Sequence, residues 1–164
     1  MIQYLTLGVQ DENYEKVFNF YEGTFKALYG ENLIVEKKEL RPNTFFPGSQ
    51  GVKFTSFIHK GLWSGVAIIS EDYAKEPLGV EEFRPSRGFS LAFKVDEKAP
   101  VKESQVKKWY ETALSLGGTS ILAPCSRPQY GLLDYAAIVL DPMGYRLEVV
   151  LNSAFSGGSA YSKL

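Results

Sequence analysis

The sequence predicts an α+β protein built from two βαβββ modules, and three observations carry that reading. An order of strand, helix and three further strands occurs twice along the chain. Leu5, Leu7 and Val9 on the opening strand correspond to Leu91, Phe93 and Val95, all at one constant offset. The second copy closes on two β-forming runs, Leu132 to Leu140 and Tyr145 to Leu151, joined by a turn sequence.

Each element has a local reason. Ile2 to Val9 alternates as a strand, with Leu5, Leu7 and Val9 on one face and Tyr4, Thr6 and Gly8 on the other. Asp11 is a candidate N-cap. Tyr14, Val17, Phe18, Tyr21, Phe25 and Leu28 then recur at helical spacing, and Gly30 ends the helix. Leu33 to Lys38, Val52 to His59 and Gly65 to Ser70 read as strands, with a Pro- and Gly-containing loop from Arg41 to Gly51. A second irregular stretch, Glu71 to Arg87, has the length of a lid.

The second copy opens with a strand from Gly88 to Val95, carrying Phe89, Leu91, Phe93 and Val95 on one face and Ser90, Ala92 and Lys94 on the other. A helix begins near Pro100, with Val106, Trp109, Tyr110, Ala113 and Leu114 as its apolar stripe and Gly117-Gly118 at its end. Thr119 to Ala123 forms the next strand. One domain over residues 1–152 is expected, with modules at about 1–71 and 88–152 and a flexible tail over 153–164. The apolar faces should pack under the helices. The mixed faces should curl around a shared cavity, giving a cup-shaped, incompletely closed mixed sheet into which Tyr4, Ser90 and Glu148 project.

Bulk properties narrow the function. The chain has 164 residues, enough for a full core, and balances 18 basic against 19 acidic residues. That balance gives no reason to expect a nucleic-acid or acidic-membrane partner. No apolar run reaches the roughly 18 residues a membrane span needs, and no signal-peptide pattern opens the sequence, so a soluble protein is expected. The single cysteine, Cys125, excludes an intramolecular disulfide and fits a reducing compartment as a small packed residue.

The final hairpin holds the residue on which a functional reading turns. Asp141-Pro142-Met143-Gly144 suits a type I turn: Pro142 pre-sets φ, Asp141 accepts a local hydrogen bond and Gly144 takes the fourth position. In the second strand Tyr145, Leu147, Val149 and Leu151 share one face, and Arg146, Glu148 and Val150 the other. A mid-strand carboxylate among residues that want burial needs a partner or a purpose. Two readings stand side by side. Glu148 is neutralised by Arg146 or Lys94, or it is a carboxylate of raised pKa, hydrogen-bonded to Tyr4 or Ser90, that serves as general base or ligand anchor.

Several stretches resemble the glyoxalase, bleomycin-resistance and extradiol-dioxygenase superfamily, the vicinal oxygen chelate proteins. Tyr135-Ala136-Ala137 followed by Asp141-Pro142-Met143-Gly144-Tyr145-Arg146-Leu147-Glu148-Val149-Val150 looks like that family's final hairpin. Leu5-Thr6-Leu7-Gly8-Val9 with Phe20-Tyr21 looks like its opening strand and helix, and Gly88 to Phe93 like the start of its second module. In metal-dependent members, inward residues of these strands hold a divalent ion. Carried over by position, the ligand set falls on Tyr4, Ser90 and Glu148. Neutral Ser90 and a phenol are poor donors for Zn, Ni or Fe. The resemblance therefore implies a dismantled metal centre and no cofactor. A metal-dependent lyase, isomerase or dioxygenase in which Tyr4 and His59 substitute is the alternative, and a ligand-sequestering protein like the bleomycin-resistance branch is another.

Other candidates border the expected pocket. Arg127, in Arg127-Pro128-Gln129-Tyr130-Gly131, could hold a carboxylate or phosphate through its planar fork. Trp63 and Tyr135 are candidate aromatic walls. His59, beside Lys60-Gly61, reads more readily as a solvated strand end than as a ligand. The family often forms homodimers, so the resemblance implies one here. The sequence ends Ser162-Lys163-Leu164, a tripeptide read by the peroxisomal import receptor in eukaryotes. A peroxisomal matrix location is expected, or a cytoplasmic one where the source lacks peroxisomes.

Overall fold

The computed structural model describes residues 4–40, 52–61, 64–70, 89–95, 102–130 and 134–151; for Tyr4, Lys38, Glu39, Leu40, Val52 and Ser64 it describes the backbone. Trp63, the stretch from Glu71 to Arg87, the loop from Arg41 to Gly51 and the terminal Ser162-Lys163-Leu164 lie outside the described residues. The chain divides into two compact units, Met1–Ser86 and Arg87–Leu164.

The first unit runs β1 (Tyr4–Val9), α1 (Tyr14–Tyr29), β2 (Leu33–Leu40), β3 (Val52–His59) and β4 (Ser64–Ser70). Its sheet order is β1-β4-β3-β2, with β1 parallel to β4 and the other pairs antiparallel. The second unit runs β5 (Ser90–Lys94), α2 (Lys102–Ser115), β6 (Thr119–Ser126), β7 (Tyr135–Leu140) and β8 (Arg146–Leu151). Its order is β5-β8-β7-β6, with the same parallel and antiparallel pattern. The repeat read from the sequence is thus a repeat of topology. Neither four-stranded sheet closes on itself.

Helix α1 follows the predicted stripe. Tyr14, Val17, Phe18, Tyr21, Phe25 and Leu28 are buried, and Phe20 and Thr24 join them. Phe57 on β3 receives the helix, its ring 5.8 Å from Phe18, 5.8 Å from Tyr21 and 5.9 Å from Phe25. Gly30 ends the helix at φ +54°, a conformation that favours glycine. Gly65 is required for a different reason. A Cβ there would stand 1.9 Å from the carbonyl oxygen of Phe57, so β3 and β4 approach too closely for any side chain.

In the second unit Val106, Trp109 and Ala113 are the buried stripe of α2, and the helix packs on β6, β7 and β8. Two residues of the expected stripe differ. Leu114 is 38% exposed, and Tyr110 is half-buried, its hydroxyl donating to Ser120 Oγ at 2.7 Å. The helix is therefore narrower in its apolar face than its sequence suggests.

The turn between β7 and β8 forms as its sequence dictates. Gly144 N–H donates to the Asp141 carbonyl at 2.9 Å, and Gly144 adopts φ +93°. The buried Asp141 carboxylate accepts from the backbone N–H of Met143 at 2.9 Å and of Tyr145 at 2.8 Å. Burial, with the nearby Asp141 charge, pushes the Tyr145 phenol far above its ordinary value. This turn sets the register of β8 and hence the face on which Glu148 lies.

Candidate functional site

Strand register sorts the expected site residues. Val149 pairs with Ala137 and Leu147 with Val139, so these four share one face of the sheet. Glu148 pairs with Ile138 on β7 and with Ala92 on β5, which puts it on the opposite face. Ser90 lies on that same face, but its partner is Arg146, and the residue beside Glu148 is Ala92. Tyr135 pairs with Leu151 and therefore occupies the face opposite to that of Glu148. The wall role expected for Tyr135 beside Glu148 is corrected by this register, because alternation sends neighbouring positions to opposite sides.

The cation paired with Glu148 is Arg127, not one of the strand neighbours weighed from sequence. Arg127 Nη2 lies 2.7 Å from Glu148 Oε1. Its Nε donates to Asp134 Oδ1, also at 2.7 Å. Backbone bonds lock the same junction: Arg127 N–H donates to the Asp134 carbonyl at 2.8 Å, and Tyr130 N–H to the Arg127 carbonyl at 2.9 Å. The guanidinium carbon stands 4.9 Å from the centre of the Tyr130 ring, a cation–π contact.

This cluster is largely withdrawn from water. Side-chain exposure is 13% for Arg127, 2% for Asp134 and 18% for Glu148. Burial alone would lower the Arg127 pKa. The hydrogen bonds and charges of Asp134 and Glu148 outweigh it, so the guanidinium is held above its ordinary value and stays charged. Asp134 was missed from the sequence, although a signal existed. Extending the alternation of β7 back by one residue puts position 134 on the face of Ala136, Ile138 and Glu148. The register shifts in β6 between Ser120 and Leu122, and between Leu122 and Cys125, concealed which residue would stand opposite it.

In the first unit, Tyr4 pairs with Gly65 on β4, and His59 pairs with Ser64 and Leu33. These columns are adjacent, so Tyr4 and His59 occupy positions on opposite faces of one sheet. The alternative in which both ligate one ion is corrected by that register. His59 belongs to the strand end: its ring meets Tyr29 edge-on at 4.7 Å, and its Nδ1 accepts from Gly61 N–H at 3.2 Å.

The family-equivalent donor set does not fit a divalent ion. Ser90 is a neutral hydroxyl, Ala92 stands beside Glu148, and one oxygen of Glu148 is committed to a guanidinium. Among the described residues, no group of three or more His, Cys, Asp or Glu is placed to hold a metal. Among them, too, no helix is long and apolar enough to cross a membrane.

Two βαβββ units of identical strand order define the fold. The chain has the fold of solved glyoxalase/bleomycin-resistance and dioxygenase-family proteins. It superposes on the hypothetical protein SA1046 from S. aureus with a TM-score of 0.62, at 17% identity over 93% of this chain and 95% of that one. A glyoxalase-related enzyme from Fulvimarina pelagi gives 0.59 at 22% identity, covering 93% and 88%. A glyoxalase/bleomycin resistance protein from Albidiferax ferrireducens T118 gives 0.58 at 16% identity, covering 91% and 96%. At these identities the likeness is one of fold. No protein-family model matches the sequence, and no curated protein matches it.

Proposed function

We propose that this is a peroxisomal matrix protein that binds, or acts on, a small organic metabolite without a metal. Glu148 and Arg127 are its polar anchor. The observation that carries the reading is the 2.7 Å contact between Arg127 Nη2 and Glu148 Oε1. In a metal-dependent site the acid on this strand would have a metal ion as its countercharge. Here a fixed guanidinium supplies it. Two of the Arg127 N–H donors are taken by Asp134 and Glu148, and those that remain are available to a ligand oxygen. The second oxygen of Glu148 is the matching acceptor.

The solved relatives include both a glyoxalase-related enzyme and a protein described as glyoxalase/bleomycin resistance, so the fold accommodates either outcome. The peroxisomal part rests on the terminal Ser162-Lys163-Leu164. A homodimer, implied by the family resemblance, belongs to the same proposal.

Metal analysis of the purified protein after loading with Zn, Ni, Mn or Fe(II) tests it. The expected result is no retained metal, together with ligand binding or turnover that Glu148→Gln impairs. Near one equivalent of metal per chain, lost in Glu148→Ala, would overturn the proposal. So would unchanged binding and turnover in Glu148→Gln, once a metabolite screen has found a ligand.

A further inference from the structure

The first unit carries a second candidate site, remote in sequence from Arg127 and Glu148. Between the first turns of α1 and the outer pair of strands β2 and β3 lies a cavity of about 210 Å³. Tyr14, Glu15 and Phe18 line it from the helix, and Lys37, Lys53 and Thr55 from the sheet. Lys37 stands directly opposite Thr55 in the strand register. The Tyr14 hydroxyl and Thr55 Oγ1 are hydrogen-bonded at 2.9 Å, and both residues are buried.

The two lysines are the unusual feature. Lys37 Nζ sits 3.5 Å from the centre of the Phe18 ring, and the structure gives it no carboxylate partner among the described residues. Lys53 Nζ lies 5.6 Å from the Tyr14 ring and 3.5 Å from Asp11 Oδ1. That ion pair is long, and its side chains are 42% and 54% exposed, so it holds Lys53 weakly and can be exchanged. Glu15 is the acid among the lining residues. An ammonium resting on an aromatic face, with a second one close by and a half-apolar hollow between helix and sheet, is a complement to an anion with an apolar body. The cavity is smaller than the roughly 300 Å³ at which drug-sized pockets begin, so a carboxylate bearing a single ring is the scale that fits.

We propose that this cavity binds a small carboxylate with an apolar body, its charge on Lys37 and Lys53 and its body toward Phe18 and Tyr14. The site goes beyond the function proposed above and does not depend on it. The test is an amide chemical-shift titration of the full-length protein with sodium benzoate, against acetate and benzylamine at matched ionic strength. Benzoate is expected to give saturable shifts at Tyr14, Lys37, Lys53 and Thr55, with acetate and benzylamine weaker. Lys37→Gln and Lys53→Gln, exposed changes that leave the core intact, should each weaken benzoate binding about threefold to fivefold. Glu148→Gln should leave it unchanged, which separates this site from the first. No saturable shift, equal binding of benzylamine, or benzoate binding indifferent to both lysine variants would overturn the proposal.

Discussion

Arg127 and Glu148 meet at 2.7 Å although one directly follows β6 and the other lies within β8. Arg127 also holds Asp134, whose side chain is 2% exposed, so among the described residues one guanidinium is the countercharge of a buried carboxylate as well as of Glu148. Removing one member of a buried pair leaves the other charge uncompensated, which is costlier than the net worth of the pair. Arg127→Ala should destabilise the protein by about 3 kcal/mol or more, and Glu148→Gln by about 1 kcal/mol, because Glu148 keeps more contact with water. Urea unfolding of both variants and of the double variant measures the coupling. An Arg127→Ala variant as stable as the parent would show that the pair does not hold the β6–β7 junction.

Alkaline pH should unfold this protein through two tyrosines. Burial raises the Tyr14 phenol above its ordinary value of 10.0, and does so more strongly for Tyr145. A group whose pKa is higher in the folded state contributes stability that is complete below its unfolded pKa and lost as pH rises above it. Stability should therefore show no tyrosine-linked loss up to about pH 10 and fall beyond it. Tyr145→Phe should flatten that fall. Unfolding midpoints across the alkaline range, with and without the substitution, decide it; identical curves would remove Tyr145 as the cause.

The turn at Asp141 is a separate test of how β8 is placed. Asp141→Ala would orphan the backbone N–H groups of Met143 and Tyr145, which its carboxylate now accepts at 2.9 and 2.8 Å. Two lost bonds at a buried position should cost about 2–3 kcal/mol. Asp141→Asn, which keeps an acceptor oxygen, should cost less. Equal losses for the two would mean that charge rather than hydrogen bonding holds the turn.

Gly65→Ala should be among the most damaging single-methyl changes in the first unit. The added Cβ would fall 1.9 Å from the Phe57 carbonyl oxygen, so β3 and β4 must separate. Overpacking of this kind costs about 1–3 kcal/mol, and a backbone atom cannot rotate away as a side chain can. Thermal unfolding reads it directly, and a shift within error of zero would show that the strand pair is looser than described.

The proposed peroxisomal location is one that a reporter can read. The last ten residues fused to a fluorescent protein should give punctate signal coincident with peroxisomes in eukaryotic cells, and removal of Leu164 should disperse it. Diffuse signal from the intact fusion would refute the targeting.

Much of the fold was legible because its signals are local and periodic. Leu7 and Val9 lie buried on one face of β1, and Val17, Tyr21, Phe25 and Leu28 on one face of α1, as spacing alone requires. The β7–β8 turn followed from Asp141, Pro142 and Gly144 without reference to anything distant. The strand β3 matched its expected span, Val52–His59, since an alternating run between turn residues leaves little freedom. Leu114 was misassigned because periodicity states which way a residue points, not how wide a face its sheet can cover.

By itself, the sequence determined the repeated module, the turn before β8 and the face on which Glu148 lies. Each depends on residues a few positions apart, where backbone geometry dictates the outcome. The tertiary structure alone decided which cation meets Glu148. Arg146 and Lys94 were nearer along the strands, yet Arg127 reaches it, because the β6–β7 junction is closed by Arg127–Asp134 hydrogen bonds at both backbone and side chain. Register in an irregular edge strand is set by packing and hydrogen bonding across the sheet. The charge partner of a buried acid follows from that register, and no spacing in the sequence encodes it.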